Sequence, residues 1–494
     1  MTTKEDLKFV YETLKEMSVL NGCEALVAWD QEVYMPEGGG ASRAEQLALL
    51  TMLTHKRITQ QKLYTVVKRL HAKKLSKRDA RVIKKLYRRI TLARKLPHAF
   101  VEEMARTTSL AKQAWFKAKK QKKFALFKPH LEKLVKLKRK EAKYLNLPGH
   151  KYNSLLDQFE EGMTVERLKP FFEELKATLV PLLKKIRQSK RYKQRTAPLK
   201  KQLSREQVEW FVNDVTHRMG VLPPVSRWDA SEHPFTTTIG LGDVRFTTHF
   251  KKDPFFAMFS TAHEAGHALY ELQMPAKEHY TNVGDAPSYG LHESQSRLWE
   301  NIVARSEAFW KFYLPKLAKG KKQDFNEWYC EVNRIEPCLV RIEADEVQYS
   351  LHVLLRFEIE CALFEGTLQV KDVPKVWKQK SKEYLGVTPK DDSQGALQDV
   401  HWSGGYFGYF PSYVLGNVYA SQLWDVLLKK HPKVEKEMAK GNFKTITTWL
   451  RKNVHEKGSF DLAEDVVKNV CGKGLDTRSY LKYLTEKYSK VYDL

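Results

Sequence analysis

His263-Glu264-Ala265-Gly266-His267 combines residue types and a spacing that can hold a metal ion and use it. On a helix, histidines at i and i+4 stand one turn apart on one face, so both imidazoles can reach the same cation. Glu264 lies between them, where its carboxylate can take the proton of a water at that cation. A hydrolytic zinc site needs a third protein ligand and one position left open for water or substrate. Glu293, 26 residues after His267, is the candidate. His292 is adjacent, but neighbouring helical residues diverge by about 100°, so only one of the two can face the ion. The pentapeptide alone does not separate this reading from three ordinary polar helix positions, and the surrounding elements decide.

Those elements suit a metal site. Asp253-Pro254 reads as a cap followed by proline at the first helical position. Phe255, Phe256, Met258, Phe259 and Ala262, then Leu269, Tyr270 and Leu272, give the following helix an apolar face that stops before Pro275. A loop with Gly284, Pro287 and Gly290 follows. The pattern then predicts a second helix from near His292 through Trp299, Ile302, Ala304 and Phe309, its opening turn presented to the metal. Upstream, His233 to Ile239, Gly240-Leu241-Gly242 and Asp243 to Thr248 read as a β-hairpin over 233–248. Its edge can accept an extended peptide through backbone hydrogen bonds.

Two further stretches carry polar chemistry. Val340 to Asp345 reads as a helix start that puts Arg341, Asp345 and His352 on one face. Arg341 and Asp345 form either an ordinary i,i+4 ion pair or an arginine held by Asp345 and aimed at a substrate carboxylate. Gly395 to Trp402 leads into a run from Gly404 to Gly416 that is too glycine-rich for a plain core helix. Its histidine and tyrosines sit on adaptable backbone suited to an oxyanion.

Composition fits a large water-soluble enzyme: 494 residues with 42% hydrophobic and 12% aromatic content can build a substantial core. Five scattered cysteines form no CxxC pair, the N-terminus lacks a signal-like apolar stretch, and no segment is apolar enough to span a membrane. A cytoplasmic location is expected. The formal charge is +26, with lysine and arginine densest between about residues 56 and 145 and interleaved with Leu70, Ile83, Leu86 and Ile90 at helical spacing. This describes amphipathic helices with a solvated basic face; without a zinc knuckle, KH or RRM signature, nucleic-acid binding is not expected. The chain is expected to be a single catalytic unit, 1–494. A basic helical part, 1–200, would form one wall of a groove, and 201–494 the metal-site part. Helices should break near Met35 to Gly40, Leu96-Pro97 and Pro148-Gly149, another should run from Thr164 to Gln188, and 190–203 should be a basic connector.

In order, His233-Pro234-Phe235, Asp243 to Thr247, HExxH, His292-Glu293-Ser294-Gln295, Val340 to Asp345 and Gly395 to Trp402 resemble the carboxypeptidase Taq family of metallocarboxypeptidases. One departure is valine at 340 where the family motif begins with isoleucine, which leaves Arg341 and Asp345 in place. The resemblance implies a mainly α, two-lobed fold with a deep groove, one divalent ion per chain (zinc first, cobalt as the alternative) and a homodimer. It implies removal of single C-terminal residues from peptides, with broad preference and poor cleavage beside proline. By position, His263, His267 and Glu293 would bind metal and Glu264 would be the general base. Arg341 would hold the substrate carboxylate, with Arg245 as second candidate and His233 beside them in the substrate-binding set. His401 with Tyr409 or Tyr413 would stabilise the oxyanion. The alternatives are an endo-acting oligopeptidase or dipeptidyl carboxypeptidase on a similar fold, a different metal-dependent hydrolase, and a non-enzymatic basic helical scaffold.

Overall fold

Capping and amphipathic spacing build most of this chain, whose computed structural model describes residues 2–194, 203–320 and 323–494. Thr2 and Glu5 form a capping box that starts the Thr3–Val33 helix. The basic helices Gln61–His71 and Lys77–Arg94 bury Leu63, Val66, Val67 and Leu70, and Val82, Ile83, Leu86 and Ile90. Each such side chain contributes about 1.5–3 kcal/mol through burial, while the lysines and arginines between them are exposed or half-buried. The Leu96-Pro97 break falls between Lys77–Arg94 and His98–Gln121, and Thr164 caps Val165–Gln188. In the basic connector, Lys190–Lys193 is a helical turn, and 195–202 lies outside the described residues.

Buried apolar side chains gather into two clusters. The smaller joins Val10, Leu14 and Met17 to Ile58 and the residues just named, and Val283, from the loop before the Glu293 helix, inserts into it. The larger runs from Ala111 to Tyr492 and encloses the helices around the HExxH segment. Arg78 clasps Glu278 across the two with Nε–Oε1 2.6 Å and Nη2–Oε2 2.8 Å.

Among the described residues three strands accompany the helices: β1 (Ser226–Ala230), β2 (Thr236–Gly240) and β3 (Asp243–Thr248), in the order β1-β3-β2. The hairpin is β2 antiparallel to β3, with Thr236 opposite Phe246 and Thr238 opposite Val244, and β1 adds in parallel on the far side of β3. The first helix presses on β2 at Gly22, where a Cβ would come within 2.4 Å of the Ile239 carbonyl oxygen, so only glycine fits. The first helix also packs near the start of β2, where the Trp29 ring lies 5.4 Å from that of Phe235.

Three local expectations change. The second helix is Tyr289–Arg297, which passes into a π-helical turn, Leu298–Val303, and a separate helix, Glu307–Ala318, restarted by the Ser306 cap. Arg341 lies in a 3₁₀ turn, Arg341–Glu343, ahead of the helix Glu346–Glu365. Asp345 is that helix's N-cap and accepts from the Val347 and Gln348 amides at 3.0 and 2.9 Å, so its carboxylate serves orphan backbone donors rather than Arg341. The second half of the glycine-rich run is helical after all, as the start of Phe410–Lys430.

Candidate metal centre and active site

The HExxH helix, Pro254–Leu272, starts as expected: Asp253 accepts from the Phe255 amide and Pro254 takes the first position. The short Tyr289–Arg297 helix lies at very close range to two neighbours, the HExxH helix at Gly266 and the Phe410–Lys430 helix at Gly416, because those two residues lack side chains. A Cβ on Gly266 would sit 2.8 Å from the Gln295 carbonyl oxygen and the Ser296 Cα, and one on Gly416 would sit 2.6 Å from Glu293 Cγ. The helix carrying Glu293 is held between them.

His263, His267 and Glu293 each offer a ligand atom within 4.8 Å of the others. Glu293 Oε2 lies 3.9 Å from His263 Nε2 and 3.5 Å from His267 Nε2. The far side of each imidazole is engaged. His263 Nδ1 donates to Glu300 Oε2 at 2.8 Å, from the π-helical turn. His267 Nδ1 meets His292 Nδ1 at 2.6 Å, and His292 Nε2 meets Glu271 Oε1 at 2.7 Å. The carboxylate of Glu271 accepts a hydrogen bond from His292 Nε2–H, which leaves His292 Nδ1 to accept from His267 Nδ1–H. Both candidate ligand histidines therefore turn a bare Nε2 toward Glu293, the tautomer a metal requires. Two imidazoles and one carboxylate, with their outer nitrogens anchored, fit a catalytic divalent ion and leave a coordination position for water or substrate.

Electrostatics reinforce this donor set. Burial opposes ionisation of Glu293, but Arg297 and His263 outweigh it and hold the carboxyl well below its usual range. Arg297 Nε donates to Glu293 Oε1 at 2.7 Å. Burial, with His292 alongside, pushes the His267 pKa down to about 3, so that imidazole is neutral and ready to ligate. Glu264 is 7% exposed, and burial raises its pKa against the pull of His263 and of the Thr236 hydroxyl. A partly desolvated carboxylate is a better proton acceptor than an exposed one.

A polar chain leads away from the candidate ligands. Arg297 Nη2 donates to the Tyr349 hydroxyl oxygen at 2.7 Å, which also accepts from Arg341 Nη1 at 2.9 Å. Arg341 is 4% exposed, and its Nε and Nη2 bind Asp399 Oδ1 at 3.1 and 3.0 Å. Asp399, not Asp345, is thus its carboxylate partner, and Arg356 Nε holds the other Asp399 oxygen at 2.7 Å. The Arg341 guanidinium lies 4.5 Å from the centre of the Tyr413 ring. His401 Nε2 is 3.1 Å from the Tyr413 hydroxyl, and the Tyr409 ring packs edge-on against Tyr413 at 5.2 Å. Burial, then Arg341, lowers the His401 pKa to about 4. Arg245 lies apart on β3, its guanidinium bidentate on Asp243 at 2.8 and 2.7 Å and 5.8 Å from the Trp29 ring. His233 is exposed, and its carbonyl accepts from Ser231 Oγ at 2.7 Å.

The sequence reading missed Thr236, Glu271, Arg297, Glu300, Tyr349 and Asp399 as site residues. Asp399 had no signal beyond its place in the Gly395 to Trp402 motif, and Glu300 had none that the α-helical period could carry, because it lies in the π-helical turn.

Known proteins resemble this chain over nearly its whole length. Thermostable carboxypeptidase 1 of Thermus thermophilus is 38% identical over 511 residues, covering 100% of both chains. Carboxypeptidase 1 of Bacillus subtilis is 35% identical over 493 residues, covering 98% of each. The crystal structure of an M32 carboxypeptidase from Deinococcus radiodurans superposes with a TM-score of 0.95 at 34% identity, covering 99% of this chain and 100% of that one. The sequence pattern of the Carboxypeptidase Taq (M32) metallopeptidases matches residues 9–488, a span that includes His263, Glu264, His267 and Glu293, and the chain belongs to that family.

Proposed function

We propose that this metallocarboxypeptidase removes one residue at a time from the free C-termini of peptides, with broad side-chain tolerance and poor cleavage beside proline. The observation that carries the reading is the buried Glu264 carboxylate set between the ligand pair His263 and His267, with Glu293 opposite and β2 alongside. When bound, a divalent ion supplies Lewis acidity, acidifying water and polarising the scissile carbonyl. Glu264 takes the proton of the attacking water and passes it to the leaving amine. His401 and Tyr413, already in contact, donate toward the developing oxyanion, with Tyr409 packed against them.

The substrate lies extended along β2, which supplies backbone partners. Proline lacks the N–H such an edge accepts, which accounts for the poor cleavage. Arg341 recognises the terminal carboxylate with the N–H groups that Asp399 and Tyr349 leave free; Arg245 is the second candidate, and His233 lies at the substrate-binding rim. Zinc is the proposed metal and cobalt the alternative, since imidazole and carboxylate donors suit both. Residues 1–200 form one wall of the groove and 201–494 carry the metal site, and the active species is a homodimer. A cytoplasmic location is supported by the five unpaired cysteines; no helix among the described residues is long and apolar enough to cross a membrane.

The test is release of free amino acids from a tripeptide with a free C-terminus and from its amidated twin, with and without chelator. Release from the free peptide only, lost on chelation and restored by zinc or cobalt, is expected, and Glu264→Gln should abolish it while retaining metal. Equal cleavage of both peptides would transfer the chain to the endo-acting reading.

A further inference from the structure

The edge strand holds two carboxylates of the HExxH helix as well as flanking them. Side chains two residues apart on a strand share a face, and on β2 the hydroxyls of Thr236 and Thr238 meet carboxylates of the HExxH helix. Thr236 Oγ1 lies 2.6 Å from Glu264 Oε2 and 3.0 Å from the Glu264 carbonyl oxygen. A hydroxyl has one proton, and the shorter, charge-assisted contact takes it. Thr238 Oγ1 donates to Glu271 Oε2 at 2.9 Å. The other oxygen of Glu271 holds His292, which holds His267. Glu264 and Glu271 are seven residues, two turns, apart and so lie on one face of their helix.

The main chain of the same threonines faces elsewhere. Phe235 and Thr247 form a hydrogen-bonded pair, Thr247 N–H to Phe235 carbonyl at 2.8 Å. Pairs alternate along an antiparallel ladder, so Thr236 opposite Phe246 and Thr238 opposite Val244 are non-hydrogen-bonded pairs. Their N–H and C=O groups point to the outer edge, where the proposed peptide would add. One dipeptide step thus presents backbone to substrate and hydroxyls to the catalytic helix.

We propose that Thr236 and Thr238 are positioning residues of the reaction. Thr236 fixes the rotamer of the general base Glu264. Thr238, acting through Glu271 and His292, fixes the orientation and tautomer of the metal ligand His267. The proposal rests on the reading of Glu264 as base and His267 as ligand.

The two roles separate in measurement. Thr236→Val, which keeps the shape of the side chain, should lower kcat by about 10- to 100-fold with KM and metal affinity within twofold of wild type, and Thr236→Ser should restore most of the loss. Thr238→Val should weaken zinc affinity, read by competition with a chromophoric chelator, by about 10-fold, with Thr238→Ser restoring it. Unfolding midpoints of the metal-free variants should stay near wild type. Wild-type kcat in Thr236→Val, wild-type affinity in Thr238→Val, or serine variants no better than the valine ones would overturn the proposal. Retained turnover in Glu264→Gln would instead overturn the base reading, so the two failures are distinguishable.

Discussion

Gly416→Ala tests how closely the metal centre depends on helix packing. The new methyl carbon would stand 2.6 Å from Glu293 Cγ, 2.8 Å from its Cβ and 3.1 Å from its carbonyl carbon. Carbon atoms in contact prefer about 3.5–4.0 Å, so the overlap is about 1 Å. It is met by backbone and the root of a buried side chain that Arg297 pins at its far end, with Nε–Oε1 at 2.7 Å. Two responses are open: the Phe410–Lys430 helix moves away, or Glu293 is driven toward the histidines. Overpacking of this kind costs about 1–3 kcal/mol. Gly266 leaves no slack on the opposite side of the Glu293 helix, so the strain should fall on the ligand. Loaded wholly onto metal binding, it corresponds to roughly a 5- to 150-fold loss of affinity. The assay is zinc competition against a chelator, with the unfolding midpoint of the metal-free variant measured in parallel. Gly40→Ala, at a helix start with nothing within 4 Å of its Cβ, is the control and should change neither. Zinc affinity within twofold of wild type in Gly416→Ala would refute the argument, whether or not the metal-free fold weakened.

Two other perturbations probe what surrounds the ligands. Glu300→Gln removes the charge that accepts from His263 Nδ1 at 2.8 Å; zinc affinity should fall by about 10-fold, and an unchanged affinity would deny Glu300 any part in orienting His263. Glu160 is buried and receives the Gly290 amide at the start of the Glu293 helix, and burial lifts its pKa to about 7 against the Ser288, Gly290 and Ser412 donors. A carboxyl raised on folding contributes stability that is complete below its unfolded value of about 4.5 and is lost as pH rises through about 7. Glu160→Gln does not titrate, so between pH 4 and 8 metal-free wild type should lose at most about 3 kcal/mol relative to the variant. A difference that stays flat across that range would show that Glu160 keeps its ordinary pKa.

What was legible in the sequence follows from the range of the interactions concerned. His263, His267 and Glu264 are fixed by helical period alone, and the hairpin by residue alternation around Gly240-Leu241-Gly242, so both could be read directly. Glu293 required only that a second helix begin after a loop. The misreadings arose where a local rule met a tertiary competitor. Arg341 and Asp345 have ion-pair spacing, yet Asp345 caps the Glu346–Glu365 helix and Arg341 finds Asp399, 58 positions away. No local pattern ranks those options, because the cap satisfies backbone donors that have no other partner whereas an exposed pair is worth only a few tenths of a kcal/mol. Glu300 reaches His263 from a π-helical turn, whose extra residue shifts the helical phase that a pattern reading assumes. The glycines near 404–416 were read by their helix cost, about 1 kcal/mol each. At Gly416 that cost is offset by what an absent Cβ allows, the approach of two helices to within contact of a metal ligand. A glycine that looks like a helix breaker in sequence is here part of the site, and only the position of Glu293 reveals it.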